Sequence, residues 1–118
     1  MNLLSRKTKG KIAEDLVVKY LINRNYLLVH RNWQRREGEI DLVVFDKITC
    51  SLVFVEVKSR NSNKFGSIEE SIDNNKKDKL KDIIDRYIEE NDYLGEYRLD
   101  FIGIVNNIKI IHYKNVEI

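Results

Sequence analysis

Two apolar segments separated by a short link constrain the fold of this chain most strongly. Ile40 to Asp46 and Ser51 to Lys58 are rich in β-branched and aromatic side chains, and only four residues separate them. Nearly continuous apolar runs of this length are typical of strands in a sheet that is covered on both faces. Because the link is too short for a crossover helix, the two strands should pair as an antiparallel hairpin.

The rest of the chain supplies elements that would flank and complete this sheet. Apolar residues recur at helical spacing on either side of the hairpin, and three further segments have strand character. The helices are predicted from Thr8 or Lys9 to about Asn23 and from Asp73 or Asn75 to Glu90; the strands from Tyr26 to Arg31, Arg98 to Val105 and Ile108 to Tyr113; a turn from Asn32 to Gly38; and a loop from Ser59 to Ser67. The order αβββαββ predicts an α/β fold with a mixed sheet of about five strands flanked by helices.

Length and composition limit the class of protein. A chain of 118 residues can bury one core and is too short for two, so residues 1–118 should form a single domain. Its 21 basic and 19 acidic residues leave a net charge of +2, which by itself gives little support for nucleic-acid binding. The single cysteine, Cys50, cannot form an internal disulfide, and no apolar stretch is long enough to cross a bilayer. We therefore expect a cytoplasmic protein with no membrane association.

Three charged residues interrupt the apolar strand pair, where a charge is costly unless a partner or a metal compensates it. Asp41 lies near the start of the first strand, and Glu56 and Lys58 alternate with valines near the end of the second. Residues two apart on a strand point to the same face, and antiparallel pairing would bring Asp41 level with this pair. Two carboxylates can bind Mg²⁺ or Mn²⁺, and the nearby ammonium can orient a water or stabilise charge on a phosphate. The pattern predicts a metal-dependent hydrolytic site.

Residues outside the strand pair extend this candidate site. Glu14 lies at the boundary of the apolar arc of the first helix, so it can overhang the sheet, whereas Asp15 should face solvent. Arg31, Arg35 and Arg36 form a basic group with no acidic residue among them, which makes them candidate nucleic-acid contacts.

Three other features have a structural explanation that competes with a functional one. The lysines from Lys76 to Lys81 are interleaved with aspartates, so a solvated helix face explains them more simply than a binding stripe. Trp33 would stack on a base or, equally, cap the core. His30 and His112 have no acidic, serine or cysteine partner nearby in the sequence, so we offer neither as a base or a ligand.

Short sequence motifs around the charged residues resemble those of a known family. Asp41, fourteen intervening residues and then Glu56-Val57-Lys58 resemble the PD-(D/E)xK nuclease signature. These motifs occur in the same order as in the YraN-like family of small bacterial proteins. That family is similar to archaeal Holliday-junction resolvases. The motifs are Gly38-Glu39-Ile40-Asp41-Leu42, Val53-Phe54-Val55-Glu56-Val57-Lys58-Ser59-Arg60, Phe65-Gly66, Lys76 and Arg98-Leu99-Asp100-Phe101. The resemblance as a whole covers nearly the entire chain, from Gly10 to about Ile104.

This resemblance implies a restriction-endonuclease-like fold and a role for each charged residue. Asp41 and Glu56 match the metal-binding acids, Lys58 matches the catalytic lysine, and Glu14 matches the first-helix glutamate that completes such sites. The implied function is Mg²⁺- or Mn²⁺-dependent cleavage of DNA, with branched or damaged DNA among the candidate substrates.

Other positions of the family pattern are present or replaced. Glu39, Arg60 and Lys76 fall on recurrent positions; we add Arg60 and Lys76 to the candidate nucleic-acid contacts and take Glu39 as a supporting or alternative acid. The replacements leave every charged site residue in place. They are Ala13 and Asn25, where the family usually has glycine, and Ile40, where the signature has proline.

Several alternatives stay open at this point. The charged trio in the sheet is also compatible with a structural ion network. A nucleic-acid-binding or partner-binding module that keeps the fold without turnover is the main rival to a nuclease. A tRNA-splicing-type RNA nuclease fits less well, because such enzymes normally rely on a histidine-containing site. A homodimer would suit an enzyme that cuts two strands symmetrically, but the sequence does not determine the oligomeric state.

Overall fold

The hairpin predicted from the two apolar segments forms the centre of the sheet in the computed structural model of the protein. The structure describes residues 6–60 and 74–118, with side chains described from residue 10 onwards. Two helices and five strands follow one another in the predicted order. They are α1 (Arg6–Ile22), β1 (Tyr26–Arg35), β2 (Gly38–Asp46), β3 (Ser51–Arg60), α2 (Asn74–Glu90), β4 (Tyr97–Val105) and β5 (Lys109–Tyr113).

The sheet is mixed and its strands lie in chain order, β1-β2-β3-β4-β5. All neighbours pair antiparallel except β3 and β4, which are parallel. Parallel neighbours need a long crossover, and α2 lies in the connection between these two strands. The arrangement confirms a single α/β domain with a five-stranded mixed sheet and two helices, and it is consistent with a restriction-endonuclease-like fold.

Each face of the sheet has its own hydrophobic core. The α1 face contains Val17 and Leu21 of the helix against Leu42, Val44 and Val55 of the sheet. On the α2 face, other strand side chains pack against the helix; this core includes Trp33, Ile40, Phe54 and Phe101 of the strands and Ile83, Ile84 and Tyr87 of α2. Alternate residues of β2 and β3 therefore enter different cores, which explains why both strands read as continuous apolar runs. Within the described residues, no helix has the length and apolar character needed to cross a membrane.

Strand β1 is longer than predicted, and the polar turn expected from Asn32 to Gly38 was wrong. The strand continues to Arg35, and only residues 36–37 form the turn into β2. Trp33 accounts for the difference, because its side chain is buried in the α2-side core with its ring centroid 4.9 Å from that of Tyr87. The core interpretation of Trp33 is thus confirmed.

Strand β3 also extends beyond its predicted end. Ser59 and Arg60 belong to the strand because they pair with Ile104 and Val105 of β4. The remainder of the predicted loop, up to Ser67 and including the Phe65-Gly66 motif, lies outside the described residues.

A buried polar network fastens the sheet to the end of α1. Asp100 is fully buried; its oxygens lie 2.9 Å from Arg98 Nε and 2.8 Å from His112 Nε2. Arg98 also donates to Asp46 across β3 at 3.2 Å, and Tyr20 Oη lies 3.0 Å from His112 Nδ1. Arg98 and Asp100 therefore pair along one strand, and Asp46 is the cross-strand partner of Arg98. His112 does have an acidic partner, twelve residues away in sequence.

We expect Asp100→Ala to destabilise the protein by about 3–5 kcal/mol, because it leaves the buried Arg98 charge and the His112 ring without their shared acceptor. Urea unfolding followed by circular dichroism measures the loss. Asp85→Ala, which removes an exposed carboxylate from α2, is the matched control and should be close to neutral. A change below about 1 kcal/mol for Asp100→Ala would show that the network does not support the fold.

Candidate active site

The candidate site lies where β2 and β3 part. Their paired register runs from Asp46–Ser51 to Leu42–Val55, which places Asp41 level with Glu56, as predicted. Beyond this point the Asp41 side chain takes over the backbone's role, because its Oδ2 accepts a hydrogen bond of 2.8 Å from the Val57 N–H. One carboxylate therefore bridges the two strands at the place where their ladder stops.

The regular alternation of side chains is interrupted at Asp41. Ile40 belongs to the α2-side core and Leu42 to the α1-side core, although residues two apart on a strand normally share a face. Directly opposite Asp41 in the register of β1 stands Asn32, with a left-handed φ of 50°. Asparagine tolerates this conformation better than most residues. The irregularity turns Asp41 into the gap between the strands, so Asp41 lies beside Glu56 and neither core covers it completely.

Glu56 is the most strongly perturbed acid of the site. Burial, followed by repulsion from the neighbouring Asp41 carboxylate, raises its pKa from an ordinary 4.5 to about 8, against a smaller lowering by Lys58. Among the described residues, its Oε1 is the one buried side-chain oxygen or nitrogen without a hydrogen-bond partner. Such an orphaned buried oxygen is costly unless something else compensates it.

Asp41 and Lys58 are shifted by the same surroundings. Burial, with the nearby carboxylates of Glu14 and Glu39, raises the pKa of Asp41 to about 6, while the Val57 hydrogen bond opposes the rise. Burial also lowers the pKa of Lys58, as does the adjacent ammonium of Lys76. The site therefore holds two acids and one base whose charged forms are all disfavoured, a pattern that clusters at functional sites.

Glu14 comes close to the site, as predicted, but it is already engaged. Its two carboxylate oxygens accept hydrogen bonds from Arg31 Nη2 at 3.3 Å and from Asn32 Nδ2 at 3.1 Å. The same Asn32 nitrogen also donates to Glu39 at 3.1 Å. Asn32 thus joins two acids that flank Asp41. This role of Asn32 was not predicted, and the one signal for it in the sequence is its position beside the basic group.

The acids do not form a compact three-membered cluster. In the part of the chain that the structure describes, no three histidine, cysteine, aspartate or glutamate side chains are placed to hold one metal ion together. Asp41 and Glu56 adjoin each other, whereas Glu14 is turned towards Arg31 and Asn32. The structure brings together the predicted pair of acids and Lys58, with Glu14 at the border.

Two clefts open on either side of this centre. The cleft on the α2 side has a volume of about 190 Å³ and is lined by Glu39, Glu56 and Lys58 together with α2 residues, among them Lys76 and Lys79. The cleft on the α1 side, of about 740 Å³, is lined by residues that include Glu14, Arg31, Asn32, Glu39 and Asp41. Glu39 borders both, so the metal-ligand candidates stand between two accessible surfaces.

Two of the arginines predicted to contact nucleic acid form ion pairs with acids that are distant in the sequence. Arg31 pairs with Asp15 at 2.7 Å and with Glu14 at 3.3 Å. Arg35 makes a two-pronged pair with Glu90, at 2.8 Å from Nη2 and 3.0 Å from Nε. The expectation of an uncompensated basic group was wrong for these two, because their partners lie far away in the chain. Arg36 lies exposed in the turn before β2, and Arg60 lies at the end of β3.

Two replaced family positions have simple structural explanations. Asn25, which stands where glycine is usual, has a left-handed φ of 70° that asparagine tolerates. Ile40, in place of the signature's proline, is buried in the α2-side core. Neither replacement alters a charged residue of the site.

The raised pKa values predict how stability depends on pH when no metal is bound. Because the folded pKa values of Asp41 (about 6) and Glu56 (about 8) lie above ordinary values, the folded state holds protons that the unfolded state releases. The contribution of these two acids to stability should be greatest below pH about 4 and fall as pH rises from about 4 to about 8, by a few kcal/mol. Urea unfolding in EDTA across this range measures the slope. Glu56→Gln, which cannot ionise, should flatten it; an unchanged slope would contradict the burial of this charge.

Comparison with known proteins places the chain in a family. The sequence model of the uncharacterised protein family UPF0102 matches residues 13–104. A UPF0102 protein of Persephonella marina is 44% identical over 108 residues, covering 91% of this chain and 90% of that protein. Those of Sulfurihydrogenibium sp. and Carboxydothermus hydrogenoformans are 39% and 40% identical, and each alignment covers at least 95% of both chains. The chain, with its paired acids and lysine at the parting of two strands, belongs to the UPF0102 family, the family called YraN-like above.

Proposed function

We propose that this protein is a metal-dependent nuclease that hydrolyses phosphodiester bonds in DNA. The observation that carries the proposal is the buried, unpartnered Oε1 of Glu56 beside the Asp41 carboxylate. Two adjacent buried carboxylates repel each other and favour protonation, and a divalent cation relieves both costs at once. Lys58, two residues from Glu56 and lining the same cleft, supplies the third chemical group.

The residues present fit Mg²⁺ or Mn²⁺. Asp41 and Glu56 offer hard oxygen ligands, which both cations prefer, and Mg²⁺ commonly binds through one or two carboxylates with water and phosphate oxygens completing its shell. Glu14 is the candidate third ligand, although each of its oxygens already accepts a hydrogen bond, from Arg31 and from Asn32. A bound cation supplies polarisation of the phosphate and a more acidic water.

Lys58 contributes proton transfer and charge stabilisation at its Nζ atom. Because burial and Lys76 lower its pKa, a larger share of Lys58 is neutral at a given pH than for an exposed lysine. The neutral amine can accept a proton from the attacking water, and the ammonium can donate a hydrogen bond to a phosphate oxygen as charge develops there.

The resemblance to the PD-(D/E)xK nucleases supports the same assignment from a different direction. The residues that carry it, Asp41, Glu56 and Lys58, are the ones that the fold brings to one place. Kinship with that superfamily and with archaeal Holliday-junction resolvases is part of this proposal, as is a preference for branched or damaged DNA.

A second candidate, a binding module without turnover, is favoured by one observation. Among the described residues no third carboxylate completes a metal site, because Glu14 is paired with Arg31. A module of this kind would keep the cleft and its lysines and bind nucleic acid without cutting it.

We expect the native protein to cleave end-labelled DNA with Mg²⁺ or Mn²⁺ and to stop in EDTA. The substrates are single-stranded, duplex, flapped and four-way-junction DNA, resolved on denaturing gels. Glu56→Gln and Lys58→Ala should each lower the rate by about 100-fold or more, because each removes a group that acts on the reacting phosphate or its water. Glu89→Gln, an exposed change on α2, is the control and should retain full activity.

The two candidate functions give opposite results in this assay. Cleavage that needs metal and Glu56 supports the nuclease. Binding without cleavage of any substrate, by a protein shown to be folded, would reject the nuclease and favour the binding module.

Metal binding can also be measured without any activity. We expect millimolar Mg²⁺ or Mn²⁺ to raise the thermal midpoint of the native protein at neutral pH, since a cation that binds only the folded state stabilises it by mass action. Glu56→Gln should lose this increase, whereas Glu89→Gln should keep it. Equal responses of native protein and Glu56→Gln would contradict a cation at this pair.

A further inference from the structure

The two sides of the candidate site differ in how their basic residues are used. On the α1 side, Arg31 forms ion pairs with Glu14 and Asp15, which largely neutralise its charge. On the α2 side, the cleft beside Glu56 is lined by three lysines, Lys58, Lys76 and Lys79. An anion that approaches on the α1 side therefore competes with Glu14 and Asp15 for Arg31.

Helix α2 places two of these lysines on one face. Lys76 and Lys79 are three residues apart, the spacing at which helical side chains are neighbours, and both border the cleft. Leu80 and Ile83 of the same helix line it as well, while Glu39, Glu56 and Lys58 come from the strands. Lys79 is exposed, and within residues 6–60 and 74–118 no hydrogen bond or ion pair engages its ammonium.

Two lysines of this cleft, Lys58 and Lys76, repel each other. Lys76 is near enough to Lys58 to lower the pKa of that residue, and Lys79 lines the same cleft. An anion bound among them removes this repulsion. A phosphodiester chain suits the place best, because it carries one negative charge per nucleotide and can reach Lys79 while the adjoining phosphate lies at Glu56 and Lys58.

We propose that Lys79, together with Lys76, binds the phosphate backbone of a nucleic acid that enters along α2. The sequence predicted that the lysines from Lys76 to Lys81 form one solvated helix face. The structure divides these lysines into two groups. Lys76 and Lys79 line the cleft, whereas Lys77 and Lys81 do not. The strand approaches the acids over α2 and not over the Arg31 to Arg36 group. The inference rests on the proposed function in taking nucleic acid as the ligand, but its test does not need cleavage.

The test is a binding titration in EDTA, where no metal-dependent cutting occurs. Fluorescein-labelled single-stranded and duplex DNA of about 20 nucleotides serve as probes, with anisotropy measured at about 50 and about 200 mM salt. Lys79→Ala should raise Kd about fivefold at the lower salt and reduce the slope of log Kd against log salt by about 1, the effect of losing one phosphate contact.

Lys81→Ala is the matched control, since it removes the same charge from an exposed position of the same helix outside the cleft. It should leave Kd within about twofold of the native value. Poly-glutamate of similar length tests whether any polyanion suffices, and it should compete poorly. Unfolding midpoints of both variants should match the native protein, because both side chains are exposed.

The outcomes separate this inference from the proposed function. A selective loss in Lys79→Ala supports the binding path, even if no DNA is cut and the nuclease proposal fails. Equal effects of Lys79→Ala and Lys81→Ala, no effect of either, or equal competition by poly-glutamate would overturn the path, even if Glu56-dependent cleavage is found. Failure of the folded native protein to bind either probe would also overturn it.

Discussion

The parting of β2 and β3 is the constraint on which the candidate site depends. Up to the Leu42–Val55 pair the two strands form an ordinary antiparallel ladder buried between two cores. Beyond it the Asp41 carboxylate receives the Val57 N–H, which keeps the strands together while opening a gap between them. A backbone donor is thereby satisfied by an acid and not by a carbonyl, so the fold needs a carboxylate or an equivalent acceptor at this position.

Two acids of strand β2, Asp46 and Asp41, have pKa values that are shifted in opposite directions. At the hairpin end of β2, burial raises the pKa of Asp46, but hydrogen bonds from the Ile48 and Thr49 N–H groups and from Arg98 outweigh it and leave the pKa lowered. At the other end, burial dominates and the pKa values of Asp41 and Glu56 are raised. The first arrangement stabilises the folded state. The second reduces stability, and a bound ligand of opposite charge would recover the loss, which is the physical reason for assigning function to this end.

Much of the architecture followed from the chain itself. Continuous apolar strands, helical periodicity and a four-residue link were enough to predict the element order and the level of Asp41 with Glu56. Predictions failed for residues whose conformation or pairing depends on a partner far away in the sequence. Trp33 extends β1 because Tyr87 packs against it, and Glu90, fifty-five residues away, pairs with Arg35. His112 likewise meets Asp100 only because β4 and β5 are neighbours in the sheet. Local pattern carries no information about such contacts.

The sequence by itself determined which residues can do chemistry: two acids and a lysine at the ends of two buried strands, where only a partner or a ligand makes charge tolerable. Tertiary structure decided how they are used. It left Glu56 Oε1 without a partner among the described residues, engaged Glu14 with Arg31 and Asn32, and brought Lys79 to the cleft. The physical reason is that the free energy of a charge depends on the atoms around it, and those atoms come from segments far apart in the chain.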